Sequence, residues 1–144
     1  GSTTFTDSSS NGFTITRNAG SLDNSTAIAS NLSAATVGAT GTALGTTNVP
    51  TSAVTEVSGV MLMKNAYGTN ILGTDVKAYF TADNSNWTEA ASYTDSGTFS
   101  DTTKMITLGK TTVTSGSDVR WKIVYANQVA STKVAQIYGI GTNY

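Results

Sequence analysis

The chain has no cysteine and no histidine among its 144 residues, and only one proline. Those gaps exclude a Ser-His-Asp triad, a cysteine nucleophile, a thiolate or imidazole metal centre and any disulfide framework. Charge is scarce as well: 8 Lys and Arg stand against 9 Asp and Glu, for a net charge of −1. Without a basic cluster there is nothing to track a phosphate backbone, so a nucleic-acid partner is not expected. The longest bulky apolar run, Val60-Met61-Leu62-Met63, is far too short for a membrane-spanning helix, and no membrane insertion is expected. The start, Gly1-Ser2-Thr3-Thr4-Phe5, has neither the basic nor the apolar region of a secretory signal. The low net charge also argues against a disordered tail, which characteristically carries a large one. No constellation names a reaction, so the chain reads as a non-enzyme with no cofactor and no metal.

What is present is Ser, Thr, Gly, Asn and Ala, with bulk distributed unevenly. Residues 18–52 contain no aromatic residue, whereas both Trp and all six Tyr come after Val54. A core of ordinary density therefore has to be built from the second part. That part alternates with the period of a strand. In 75–81, Val76, Ala78 and Phe80 share one face, and Lys77, Tyr79 and Thr81 the other. In 118–125, Val119, Trp121, Ile123 and Tyr125 point one way while Arg120 and Lys122 point toward water. Residues 56–64, 104–113 and 133–140 are rich in β-branched, aromatic or other bulky side chains and read as further strands. Turn chemistry separates them at Asn65-Ala66-Tyr67-Gly68, Asp83-Asn84-Ser85-Asn86, Asp95-Ser96-Gly97 and Ser115-Gly116-Ser117-Asp118. The pattern predicts a mainly-β protein: an antiparallel, jelly-roll-like β-sandwich over 54–144.

Residues 1–53 read as an extended N-terminal arm. Two short strands are expected at 3–7 and 12–17, around the turn Ser8-Ser9-Ser10-Asn11. Beyond them, small residues repeat through Ala34-Ala35-Thr36-Val37-Gly38-Ala39-Thr40-Gly41, a composition typical of linkers. Ordering costs about 1–2 kcal/mol per residue, which so little apolar surface cannot offset alone. An ordered arm is therefore expected to be held by neighbouring copies or by the outer face of the sandwich.

The acids do not form a catalytic pair: Asp7, Asp23, Asp75, Asp83, Asp95, Asp101 and Asp118 all lie beside Ser, Thr or Asn, where Asp caps backbone. The loop Asp83-Asn84-Ser85-Asn86 has oxygens at alternate positions but lacks the glycine and distal glutamate of a calcium loop. An Asx turn between two strands is the better account. Residues Thr81 to Trp87 also resemble the Asp-box hairpin of sialidase-like β proteins, with Ser85 in place of glycine and Trp87 one residue early. In that family the box is a structural turn. A sugar-binding sandwich would use exposed rings ringed by amides and acids. Tyr67, Asp83, Asn86, Trp87 and Tyr93 are the residues that fit this alternative, although Trp87 reads first as a cover for the sheet edge. Asn24, Asn31 and Asn86 open N-glycosylation patterns, which a chain this rich in Asn, Ser and Thr produces by chance.

Four segments together resemble a β-rich module of tailed-bacteriophage virion proteins. They are Leu72-Gly73-Thr74-Asp75-Val76-Lys77-Ala78-Tyr79, the Asp83 to Trp87 turn, Thr114-Ser115-Gly116-Ser117-Asp118-Val119-Arg120-Trp121-Lys122-Ile123, and Lys133-Val134-Ala135-Gln136-Ile137-Tyr138-Gly139-Ile140. The opening from Phe5 to Ile15 is similar to the start of lectin-like sandwich domains in such proteins. The resemblance implies a virion structural subunit: a tail fibre, head fibre or capsid-decorating protein. It further implies partners among copies of itself (a trimer, by the fibre analogy) and other virion proteins. A host-surface glycan is the partner in the alternative reading.

Overall fold

A computed structural model describes residues 4–6, 14–16 and 39–144, with side chains from residue 41 onward. The rest of the expected arm, its first turn, and Asn24 and Asn31 lie outside the described residues. Among the described residues ten strands form: β1 (Thr4–Thr6), β2 (Thr14–Thr16), β3 (Ala39–Leu44), β4 (Val54–Tyr67), β5 (Val76–Thr81), β6 (Thr88–Glu89), β7 (Tyr93–Ser100), β8 (Thr103–Gly116), β9 (Arg120–Gln128) and β10 (Val134–Asn143). The first two pair with each other as an antiparallel ribbon, Phe5 opposite Ile15. The other eight make two four-stranded sheets, β10-β4-β8-β7 and β3-β9-β5-β6, in which every pairing between strands is antiparallel. The sheets pack face to face as the antiparallel β-sandwich that the alternation predicts.

The core follows the period of two. Val76, Ala78 and Phe80 of β5 are fully buried, as are Val119 and Ile123 at and within β9. From the other sheet β4 contributes Val57, Met61 and Met63, and β8 contributes Ile106 and Leu108. Beyond Leu108 the buried positions of β8 change phase, to Thr111 and Val113. Val57 lies opposite Thr111 but Gly59 opposite Leu108, so β8 carries one extra residue there, and a bulge turns the strand over. Each large core side chain contributes about 1.5–3 kcal/mol through burial.

Two expectations change. The sandwich takes in β3, which lies within the stretch assigned to the arm. β3 hydrogen-bonds along the edge of β9, and the chain after it continues this contact: Gly45 N–H donates to Trp121 O at 2.9 Å and Asn48 N–H to Val119 O at 2.8 Å. These residues are held by backbone bonds to an edge of their own sheet. Such bonds require no apolar side chains. The second change concerns Asp95-Ser96-Gly97, which does not end a strand. It is a bulge inside β7, with Gly97 at φ 106° and its N–H donating to Asp95 Oδ1 at 2.9 Å.

Candidate functional site

The five residues singled out for glycan binding do not converge. Asp83, Asn86 and Trp87 lie on the β5–β6 connection, at the end of the sandwich where Asp83 bridges to Asp118. Tyr67, 54% exposed, closes β4 at the far end, opposite Val134.

Asp83 and Asn86 are turned toward each other. One carboxylate oxygen of Asp83 accepts the N–H groups of Ser85 (2.9 Å) and Asn86 (2.8 Å) and the Thr81 hydroxyl (2.9 Å). The other accepts the Asn86 side-chain amide at 2.7 Å. These bonds, the Asn86 amide first, hold the Asp83 carboxyl well below the usual carboxylate range. The loop is thus the Asx turn expected of it, closed by Asp83 itself.

Trp87 does not cover the core. It lies over the outer face of its sheet, where the Lys122 ammonium sits 4.5 Å from its ring centroid and 4.9 Å from that of Tyr79. The cation covers one face of each ring. Tyr93, at the start of β7, joins the two sheets. Its oxygen accepts the Ala78 N–H at 2.8 Å and donates to Glu89 Oε1 at 3.1 Å, and burial pushes its phenol above its ordinary value.

A polar cluster at the Tyr67 end carries a charge that the sequence did not distinguish from the other capping acids. Asp75 is 1% exposed. It is held by Lys133 Nζ at 2.6 Å, the Ile71 N–H at 2.8 Å and the Asn127 amide at 3.1 Å, Lys133 being the strongest influence. Beside it Gln128 donates to Asn70 Oδ1 at 2.8 Å and accepts the Ala135 N–H at 2.7 Å. These bonds fasten the loops around Ile71, Asn127 and Lys133 to one another. Among the described residues, no group of three or more acids is placed to hold a metal ion.

A further feature is a side of the sandwich. β3 and β10, the outer strands of the two sheets, flank a groove of about 250 Å³ lined by Ala43, Trp121, Ile123, Tyr125, Ile137 and Ile140. Tyr138, 60% exposed, stands at its rim. Gly45 lets the chain close over Trp121, since a Cβ there would lie 2.5 Å from the indole nitrogen. Neither β3 nor β10 contains a charged residue. Comparison with family models, curated proteins and solved structures finds no match for this chain.

Proposed function

We propose that the chain is a non-enzymatic structural subunit that assembles through the strand edges of its sandwich, with a virion as its setting. The observation that supports this most directly is the pair of uncharged edge strands, β3 and β10, flanking an apolar groove. An uncharged sheet edge is a template for pairing with another chain, and charge is a common guard that both strands lack, although β10 bulges at Tyr138. The virion setting rests on the segments in β5, β9 and β10 that resemble phage structural modules. The glycan alternative built on Tyr67, Asp83, Asn86, Trp87 and Tyr93 draws less support, because Asp83 and Asn86 satisfy each other and Tyr67 lies at the far end. Sedimentation velocity across a micromolar concentration series tests the proposal. Concentration-dependent association is expected, and a single monomeric species throughout would overturn it.

A further inference from the structure

We propose that the outer face of the β3-β9-β5-β6 sheet holds an acidic sugar, its carboxylate on the Lys122 ammonium and its C–H face against Trp87. This goes beyond assembly, because it gives the subunit a ligand. Of the five residues that fail to converge, the site uses only Trp87.

The observation behind it is a charge left over. Among the described residues, Lys64, Lys77, Lys104, Lys110, Arg120 and Lys133 each lie 3.7 Å or closer to a carboxylate oxygen. Lys122 is the described cation with no such partner. The acids of its own sheet are committed elsewhere, Glu89 to Lys77 at 3.7 Å and Asp118 to Arg120 at 2.8 Å. The Trp87 and Tyr79 rings, 4.5 and 4.9 Å away, steady the ammonium without supplying a counter-charge. An anion from outside would supply it, to a side chain that is already held and so loses less freedom on binding.

The sheet gives this charge a platform. Lys122 lies opposite Leu44 on β3 and opposite Tyr79 on β5, so the three side chains form one row across three strands. Neighbouring strands lie about 4.8 Å apart, which makes the row about 10 Å wide, the scale of one substituted sugar ring. Leu44 is 55% exposed, and Tyr79, Trp87 and Lys122 are each partly exposed.

The number of charges selects the ligand class. A nucleic-acid backbone or an anionic membrane is held by several cations together, and here one is free to act. An acidic peptide adding as a strand needs a sheet edge, whereas this is a sheet face. One carboxylate on a ring with apolar C–H faces matches one ammonium set among aromatic and aliphatic side chains. A single exposed ion pair binds weakly, and repeated copies in an assembly would multiply it.

The site is tested apart from assembly, which sedimentation reads independently. The full chain is applied to an array of sialylated and uronate-terminated glycans, each beside its neutral counterpart, and to vesicles of anionic phospholipid. Signal on an acidic glycan at least tenfold above that on its neutral counterpart is expected, with none on the vesicles. Lys122→Ala and Trp87→Ala should each lower that signal at least tenfold while circular dichroism shows the fold intact, and Lys122→Arg should keep it. No signal on any acidic glycan, equal signal on the neutral counterparts or the vesicles, or signal that survives in Lys122→Ala would overturn the inference.

Discussion

The two long sides of the sandwich are built on opposite plans. On the β6–β7 side the chain itself crosses between the sheets. Ala91 N–H donates to Thr111 Oγ1 at 3.0 Å, Gly109 N–H to Ser92 O at 2.8 Å, and Tyr93 reaches across to Ala78. Its edges are guarded: β6 has two residues and carries Glu89, while β7 has its bulge and an ion pair between Asp95 and Lys104 at 3.2 Å. On the β3–β10 side the groove opens between strands that carry no charge. One side is stitched by hydrogen bonds from its crossing loop and carries charge at its edges. The other carries none at its edges and is held by edge pairing and by Ala43, Ile137 and Ile140 packed against the core, with a bulge at Tyr138 in β10. The difference teaches that a fold can be secured on one side and leave the opposite side available for pairing.

The largest effect should come from the core that both sides share. Phe80 is fully buried in β5, so Phe80→Ala should cost about 3–5 kcal/mol. Urea unfolding should show one transition moved to lower concentration. If the β6–β7 side survived in a separate later transition, the sides would be independent units and the contrast would lose its basis.

Next come single-atom changes on each side. Tyr93→Phe removes the acceptor of the Ala78 N–H, a buried group then left unpaired, at a cost of about 1–3 kcal/mol. Because Tyr93 ties β5 to β7, the loss should be global and appear in the urea midpoint. Gly45→Ala forces a methyl against the Trp121 indole. Its damage should stay local, because within residues 41–44 only Ala43 packs against the core. Amide exchange in β3 should accelerate at least tenfold while that in β4 and β8 changes little. A shared loss of protection throughout both sheets would show that the open side is stitched as firmly as the closed one.

How much of this was legible in the sequence depends on which physical signal each element carries. β5 and β9 announce themselves, since Val76, Ala78, Phe80 and Ile123 alternate with Lys77, Tyr79 and Lys122 and are buried as that alternation requires. Thr81 breaks the pattern: it is fully buried because its hydroxyl serves the Asp83 turn. β3 was hidden because its attachment is made of backbone bonds, which every residue offers alike. The Asx chemistry at Asp95 is visible in the sequence but its consequence is not, because the same local bond can end a strand or bulge it. Asp75 looks like every other Asp beside a Thr. Its burial depends on Lys133 and Asn127, which only the fold brings near. The groove could not be read at all, since it exists only once the edge strands are known.

Asp75 offers a pH-dependent test of whether the loop end relies on charge. Lys133, the Ile71 N–H and the Asn127 amide lower its carboxyl from 3.8 to about 2. A carboxylate with a depressed folded value adds stability that is complete above its unfolded value and is lost as pH falls toward the folded one. The parent should therefore lose stability between about pH 4 and pH 2, and Asp75→Asn should reduce the steepness of that loss. Asp83, Asp95 and Asp118 are lowered as well, so some slope should remain. An identical acid profile for parent and variant would mean that the Lys133 pair does not hold in solution.

The smallest expected effect lies on the outer face, away from both sides. Lys122 stands between the Tyr79 and Trp87 rings, a contact worth about 0.5–1 kcal/mol at a partly exposed position. Lys122→Ala should lower stability by no more than about that amount and leave self-association unchanged, because the face it occupies is separate from the β10 edge. It also uncovers the aromatic faces, which makes it the sharper probe of the glycan alternative. If Lys122→Ala acquired carbohydrate binding that Trp87→Ala then removed, the rings would be a platform that the lysine covers. If neither variant bound a glycan that the parent binds, the lysine and the ring would be acting together, on a face apart from the open and closed sides.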